Sequence, residues 1–264
     1  MTTNVKVNLF PLLQYVEYYL KKVDRHSLQS PFVYQLYQDL KTHCSHCKNE
    51  FPDIEERRKA LLADENEVLV KDMGAGSHRF SSRKRKIADI IRYSSSSQKF
   101  NLLYQFFCSL TPAKAVVELG TCLGLNTLYL AEVTKKKIYT FEGADILINR
   151  IKNSLDSNEK IEVIVVDISS TLPAFLKNAP KVDFAFLDAN HTYEHTSSYY
   201  RQLMEHIHQD TIIVIGDIHW SREMQKAWKE IIQTEKVRLS LDFFECGVLF
   251  YKNGIQKAHY ALTY

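Results

Sequence analysis

Glycine is scarce in this chain, with eight among 264 residues, so each glycine that clusters calls for a reason. No apolar run approaches the roughly 18 residues of a membrane span, which excludes a helical membrane protein. The first residues, "MTTNVKVNLFPLLQYVEYYLKK", make no signal peptide. Their apolar stretch is broken by Pro11, Gln14 and Glu17, and no small-residue cleavage site follows. Cysteine numbers five, an odd count without a regular framework, which points to a reducing compartment. A cytoplasmic protein is expected. Charge of one sign is also lacking: the net charge of +3 is too mild to imply nucleic acid or a membrane by itself. No repeat period is visible.

What is present is 45% hydrophobic and 25% charged residues, enough for a sizeable core without disulfides. The chain changes character near residue 112. Before it, "LLQYVEYYLKK", "SPFVYQLYQDLKTH", "FPDIEERRKALLADEN", "SSRKRKIADIIRYS" and "SSQKFNLLYQFFCSLT" read as helices. Ser30 and Pro31 give the second of these a cap and a first helical residue. After it, apolar runs at 115–119, 137–142, 161–167, 182–188 and 211–217 alternate with helix-like stretches. That order predicts a doubly wound, mostly parallel sheet with helices on both faces. "KVRLSLDF" and "GVLFYKN" add an edge pair, for about seven strands. Two units are expected: a helical extension or lid over 1–111 and an α/β domain over 112–264.

Four strands end in an acid: Glu142, Asp167, Asp188 and Asp217. Open parallel sheets bind ligands beyond the carboxyl ends of their strands, so the four define a candidate site. Helix capping is the competing reading for each. Two glycines, Gly120 and Gly124, follow the first strand and its acid Glu118. A glycine turn there lets backbone approach a ligand at a helix N-terminus. The middle glycine of a dinucleotide fingerprint is absent, and no lysine follows Gly124 as in a P-loop. S-adenosylmethionine remains, with Glu142, 24 residues after Glu118, as acceptor for the ribose hydroxyls.

"VELGTCLGLNTLYLA" resembles motif I of class I S-adenosylmethionine-dependent methyltransferases, in particular the small-molecule catechol O-methyltransferase type. "YTFEGA", "VVDISSTLPAFL", "VDFAFLDANHTYEHTSSYY" and "IIVIGDIHW" resemble the later motifs in order and spacing, over roughly 112–252. The region with "HSLQSPFVYQLY" and "DMGAGSHR" resembles the helical extension of a bacterial branch. The resemblance implies a Rossmann-like methyltransferase fold. It places Glu118, Gly120, Thr121 and Gly124 around the methionine end of the cofactor, Glu142 and Gly143 at the ribose, and Asp167 and Ile168 at the adenine. Asp188 falls at the methyl-transfer centre, with His191 and Asp217 toward the acceptor. By its place three residues past the fourth strand, His191 reads as a proton acceptor or equally as a polar cap of the following helix. In the resembled enzymes two acids and an asparagine hold a divalent metal. Asp188 and Asp217 match the acids, but Ile218 stands where the asparagine would be. Magnesium on two carboxylates, or a different site completed by His191 or His219, both stay open.

The expected acceptor is an oxygen of a small molecule. The rival readings are an RNA or other nucleic-acid methyltransferase using the basic run at 83–86, a non-catalytic cofactor-binding relative, and an NAD enzyme. Against base methylation, the fourth strand is followed by "DANH" and not by an (Asp/Asn)-Pro-Pro-aromatic loop. "HTYEH" at 191–195 and "HCSHC" at 43–47 are read as a strand-to-helix segment and a helix end rather than zinc sites. For "DMGAGSHRF" at 72–80 and the basic run after it, a solvated helix face is the default reading, and the sharper one is a lid hinged at Gly74 and Gly76 that brings Ser77, His78 and Arg79 to the strand tips. A monomer or a homodimer is expected, with "NLFPLLQYVEYYL" docking on the domain or on a second copy.

Overall fold

The structure is a computed structural model, and it describes residues 9–24, 26–70 and 84–264. The chain first lays down helices α1 (Phe10–Lys21), α2 (Pro31–Cys47) and α3 (Pro52–Leu62). Ser30 caps α2 by accepting from the Val33 N–H, and Pro31 sits in the first turn. A two-stranded ladder follows, β1 (Glu67–Leu69) against β2 (Lys84–Lys86), then α4 (Ile87–Ser94) and α5 (Gln98–Ser109). The basic run therefore does not open a helix, as its sequence suggested. Arg85 is buried while Lys84 and Lys86 are exposed, an alternation that suits a strand. Lys84 pairs with Glu67, and Lys86 with Glu65 at 2.6 Å. The hinge and lid residues expected at Gly74, Gly76, Ser77, His78 and Arg79 lie outside the described residues.

The second half builds the sheet. In order come β3 (Ala115–Leu119), α6 (Leu125–Val133), β4 (Lys137–Glu142), α7 (Asp145–Asp156), β5 (Ile161–Val165), α8 (Ile168–Asn178), β6 (Val182–Leu187), α9 (Tyr193–Leu203), β7 (Ile207–Gly216), α10 (Arg222–Gln233), β8 (Leu239–Asp242), β9 (Cys246–Phe250) and β10 (Ala258–Ala261). The sheet order is β10-β8-β9-β7-β6-β3-β4-β5, and only β9 runs antiparallel to its neighbours. Among the described residues the sheet has eight strands, not about seven. β10 escaped the sequence because "AHYA" is an edge strand with only partly buried side chains and no apolar run.

Successive residues of the central strands face opposite layers. Val116, Phe184, Phe186 and Val214 pack with α2, α5, α6 and α7. Val117, Ala185, Leu187, Ile213 and Ile215 pack with α8, α9 and α10. The helices before residue 110 thus complete one of the two helix layers. The chain ends close on each other: Val23 bridges Leu262, the Tyr18 hydroxyl donates to the Leu262 carbonyl at 2.5 Å, and the Tyr37 hydroxyl donates to the Thr263 carbonyl at 2.6 Å.

Helix α1 docks by an unexpected face. Gln14 and Tyr18 are buried, and Gln14 accepts from Gln225, while Leu12, Leu13, Val16 and Leu20 remain exposed. The rings of Tyr15 and Tyr18 lie 5.1 and 5.3 Å from Phe244. Hydrogen bonds and ring contacts, not the apolar stripe, seat this helix. Among the described residues no helix is long and apolar enough to cross a membrane.

Candidate active site

β3 is flanked by β4 on one side and β6 on the other, so the strand order reverses between β3 and β6. The crease beyond that reversal is where open α/β sheets bind ligands. Its lip is the turn 120–124. Gly120 has φ of +103°, and a Cβ there would lie 2.5 Å from the Asp188 carbonyl oxygen. Only glycine permits the β3 and β6 tips to approach so closely. The Gly120 and Thr121 N–H groups donate to the Phe141 carbonyl at 2.9 and 3.1 Å, and Asp188 N–H donates to Leu119 at 2.9 Å. Gly124, at φ +74°, leads into α6 in the left-handed conformation.

Glu118 lies beneath this turn, fully buried. It accepts from the Thr127 hydroxyl at 2.5 Å, the Thr140 hydroxyl at 2.6 Å and the Asn126 amide at 2.8 Å. Burial pushes its carboxyl up to about 7, although those three donors oppose the rise. Thr121, also buried, shares a hydrogen bond of 2.6 Å with the Thr140 hydroxyl. These two residues buttress the turn from behind.

Glu142 ends β4 beside the same turn. Its Oε2 accepts from the Cys122 N–H at 2.8 Å and its Oε1 from the Ala144 N–H at 2.9 Å. Burial raises its carboxyl, and the N–H groups of Ala144, Cys122 and Gly143 work against that. A carboxylate has about four acceptor positions, so the backbone of Gly143 and its neighbours orients Glu142 without using it up. Asp167 lies across from it, where Val166 N–H donates to the Glu142 carbonyl at 3.0 Å. Its exposed side chain caps α8 through Ser169 N–H at 3.1 Å, so the capping reading holds for this acid. Ile168 is buried in the core beneath.

At the tips of β6 and β7 stand Asp188, His191 and Asp217, each able to offer one ligand atom within 4.8 Å of the other two. His191 Nδ1 lies 3.6 Å from Asp217 Oδ2. The Asp188 carboxyl lies over Gly216, where a Cβ would collide with it. Burial raises it to about 6; His191 opposes that rise and Asp217 adds to it. Among the described residues six non-glycine residues have positive φ, and five of them lie at this edge of the sheet: Cys122, Asn190, His191, Asp217 and Phe244. Backbone held in such conformations clusters at functional sites.

Ile218 is fully buried in the core, so the asparagine ligand of the resembled metal site has no counterpart there. His219 turns away from the triad to Asp242, 2.7 Å from its Oδ2, and stacks on Phe244. Asp242 was missed in the sequence although it ends β8 as Asp188 and Asp217 follow their strands. Tyr104 was missed too. It comes from α5, packs on Phe186 at 4.4 Å, and its hydroxyl is raised by burial, with Cys246 and Asp188 adding to the rise. No local signal in a helix marks such a residue.

The discounted motifs resolve as packing. His195 follows the Thr192 cap at the start of α9, and among the described residues it joins no metal-ligating group. His43 bonds Gln105 at 3.0 Å, Cys44 bonds the Tyr264 hydroxyl at 3.1 Å, and burial raises the Cys44 and Cys47 thiols. A groove of about 470 Å³ between α9 and α10, lined by Tyr193, Tyr200, Arg201 and Glu230, shares no residue with the strand-tip site.

The fold and the crease define a class: an α/β domain with the sheet of the class I methyltransferases. Residues 117–218 match the family model described as a methyltransferase domain, so the resemblance carried by the motifs holds. No curated protein matches the chain in sequence. Among solved structures, a Staphylococcus aureus protein described as a caffeoyl-CoA O-methyltransferase is 12% identical, with 82% of this chain and 100% of that one covered, at a TM-score of 0.58. A Podospora anserina methyltransferase bound to S-adenosylhomocysteine is 15% identical, with 86% and 100% covered, at 0.56. The O-methyltransferase TomG of Streptomyces achromogenes, involved in tomaymycin synthesis and solved with S-adenosylmethionine, is 12% identical, with 61% and 83% covered, at 0.50. At these identities the likeness establishes the fold.

Proposed function

We propose that the protein transfers a methyl group from S-adenosylmethionine to an oxygen of a small molecule. The observation that carries this reading is the pair formed by the Gly120 turn and Glu142 at the switch point of a methyltransferase-type sheet. The methionine end lies along 120–124, with Gly120 and Gly124 allowing backbone approach and Glu118 and Thr121 holding the turn from behind. Glu142 accepts the ribose hydroxyls with the lone pairs its backbone donors leave open. Asp167 and Ile168 border the adenine.

The methyl then points toward Asp188, His191 and Asp217. Transfer from a sulfonium is one displacement, and the protein's share is to align the acceptor oxygen with methyl and sulfur and to take its proton. Asp188, His191 and Asp217 converge where that proton leaves. Residues 112–264 form the cofactor-binding unit, and among the described residues before 112 Tyr104 from α5 and Tyr15 and Tyr18 from α1 wall the acceptor side. Within the basic run, Lys84 and Lys86 are paired with Glu67 and Glu65, which lowers the charge these two offer RNA.

A melting experiment separates this reading from the NAD alternative. Saturating S-adenosylhomocysteine should raise Tm by roughly 5 °C or more, the shift expected at about 100 times Kd for a chain of this size. NAD should leave Tm unchanged. A shift with NAD alone would contradict the assignment.

A further inference from the structure

A surface helix ordinarily turns its apolar stripe to the core and its polar side to water. Helix α1 does the reverse. Its docked side holds Gln14 and Tyr18, which bond Gln225 and the Leu262 carbonyl. On the opposite side Leu9, Leu13, Val16 and Leu20 follow at intervals of four, three and four, with Leu12 and Tyr19 along one flank. All six are exposed, Leu13 by 62% and Leu20 by 78%. In heptad terms the four form an a/d seam, and Gln14 and Tyr18 take the b and f positions across the helix from it. A seam of that spacing is the surface one helix presents to another.

The size of the face suits a protein partner. With about 200 Å² for a whole side chain of this size, the six residues present roughly 600 Å². A contiguous apolar patch that large marks an interaction surface. A specific interface takes about 800 Å² from each partner. Tyr15, also exposed, and the aliphatic stems of Lys21 and Lys22 bring the face close to that area.

The face is also complementary to itself. Two copies of α1 laid antiparallel across a twofold axis set Leu9 against Leu20 and Leu13 against Val16, an isologous contact. That orientation keeps the lysines of the two copies at opposite ends of a helix about 18 Å long, beyond the screening length of about 8 Å. A parallel pair would bring Lys21 and Lys22 of both copies together. A lipid surface matches less well. A helix lying on anionic lipid carries Lys and Arg along its free polar face. Here the polar face is taken up by the domain, and Lys21 is paired with Glu17 at 2.6 Å.

We infer that α1 is a homodimerisation helix, docked on its own domain through Gln14 and Tyr18 and on a second copy of this chain through the face from Leu9 to Leu20. The pairing goes beyond methyl transfer and does not depend on it.

Sedimentation equilibrium of the full chain from about 1 to about 50 μM tests the pairing. The parent should associate to a dimer. Leu13→Glu and Leu20→Glu each place a charge in the seam and should weaken association at least about tenfold. Both side chains are exposed, so the circular dichroism of the variants should match the parent. Leu110→Glu, at an exposed leucine on the last turn of α5, should leave association unchanged. In the parent alone, amide exchange over 10–21 should slow as concentration rises. A parent that stays monomeric, exchange there that ignores concentration, or a dimer that survives both seam substitutions overturns the inference. Flotation of a monomeric parent with phosphatidylserine vesicles also overturns it and gives the face to lipid.

Discussion

Gly120 and Glu118 carry the most testable chemistry at the scale of single residues. Replacing Gly120 with alanine puts a methyl 2.5 Å from the Asp188 carbonyl in a backbone conformation that alanine resists. The expected cost is about 2 kcal/mol or more, read as a lower urea midpoint together with weaker S-adenosylhomocysteine binding. An alanine variant with parental midpoint and Kd would show that the β3 and β6 tips have room to part. Glu118 makes a pH prediction. Its folded carboxyl is raised to about 7 from an ordinary 4.5, so the folded state holds the proton more tightly than the unfolded one. The stability it contributes is complete below about 4.5 and is lost as pH rises through about 7, a loss of about 3 kcal/mol. Glu118→Gln removes that dependence. Urea unfolding at pH 5 and pH 8 should show the variant gaining on the parent at the higher pH, and parallel profiles would refute the assignment. Both residues were legible in the sequence, because an acid and two glycines at a strand end form a local pattern. Asp242 and Tyr104 were not: one needs the approach of His219, after β7, to the end of β8 across β9, and the other a helix from before the α/β half.

At the scale of elements, β3 and β4 fall on the residues read from the sequence: β3 is buried throughout, and β4 buries Ile138, Thr140 and Phe141 between partly exposed neighbours in a β-branched and aromatic run. The misread elements share one physical cause. β2 is held by cross-strand ion pairs, and β10 borrows its partner from β8, so neither carries an apolar signal of its own. Helix α1 shows the same limit in reverse. Its apolar stripe predicted a helix correctly, yet its docked face is Gln14 and Tyr18 against Phe244, Gln225 and Leu262. Phe244→Ala should therefore loosen α1 without unfolding the sheet. Amide exchange over 10–21 should quicken at least tenfold while the global midpoint moves little, since weakly held elements open below the global free energy. Unchanged exchange there would mean that the Tyr18 and Gln14 bonds alone hold the helix.

Across the whole molecule, the sheet explains why acids scattered over 75 residues of sequence, from Glu142 to Asp217, meet at one edge. Parallel crossovers bring each strand's carboxyl end to the same side, and the reversal between β3 and β6 opens the crease that the Gly120 turn and Glu142 line. The sequence already set His191 and Asp217 together toward the acceptor; the 3.6 Å spacing of Nδ1 and Oδ2 and the positive φ of both residues were not legible in it. The central claim is that this crease holds S-adenosylmethionine with its ribose on Glu142. Isothermal titration of S-adenosylhomocysteine into the parent and Glu142→Ala tests it most directly. Losing a charged acceptor of two hydroxyls should weaken Kd at least tenfold, an energy of about 1.4 kcal/mol or more. No heat in the parent, or the same Kd in both proteins, would contradict the account.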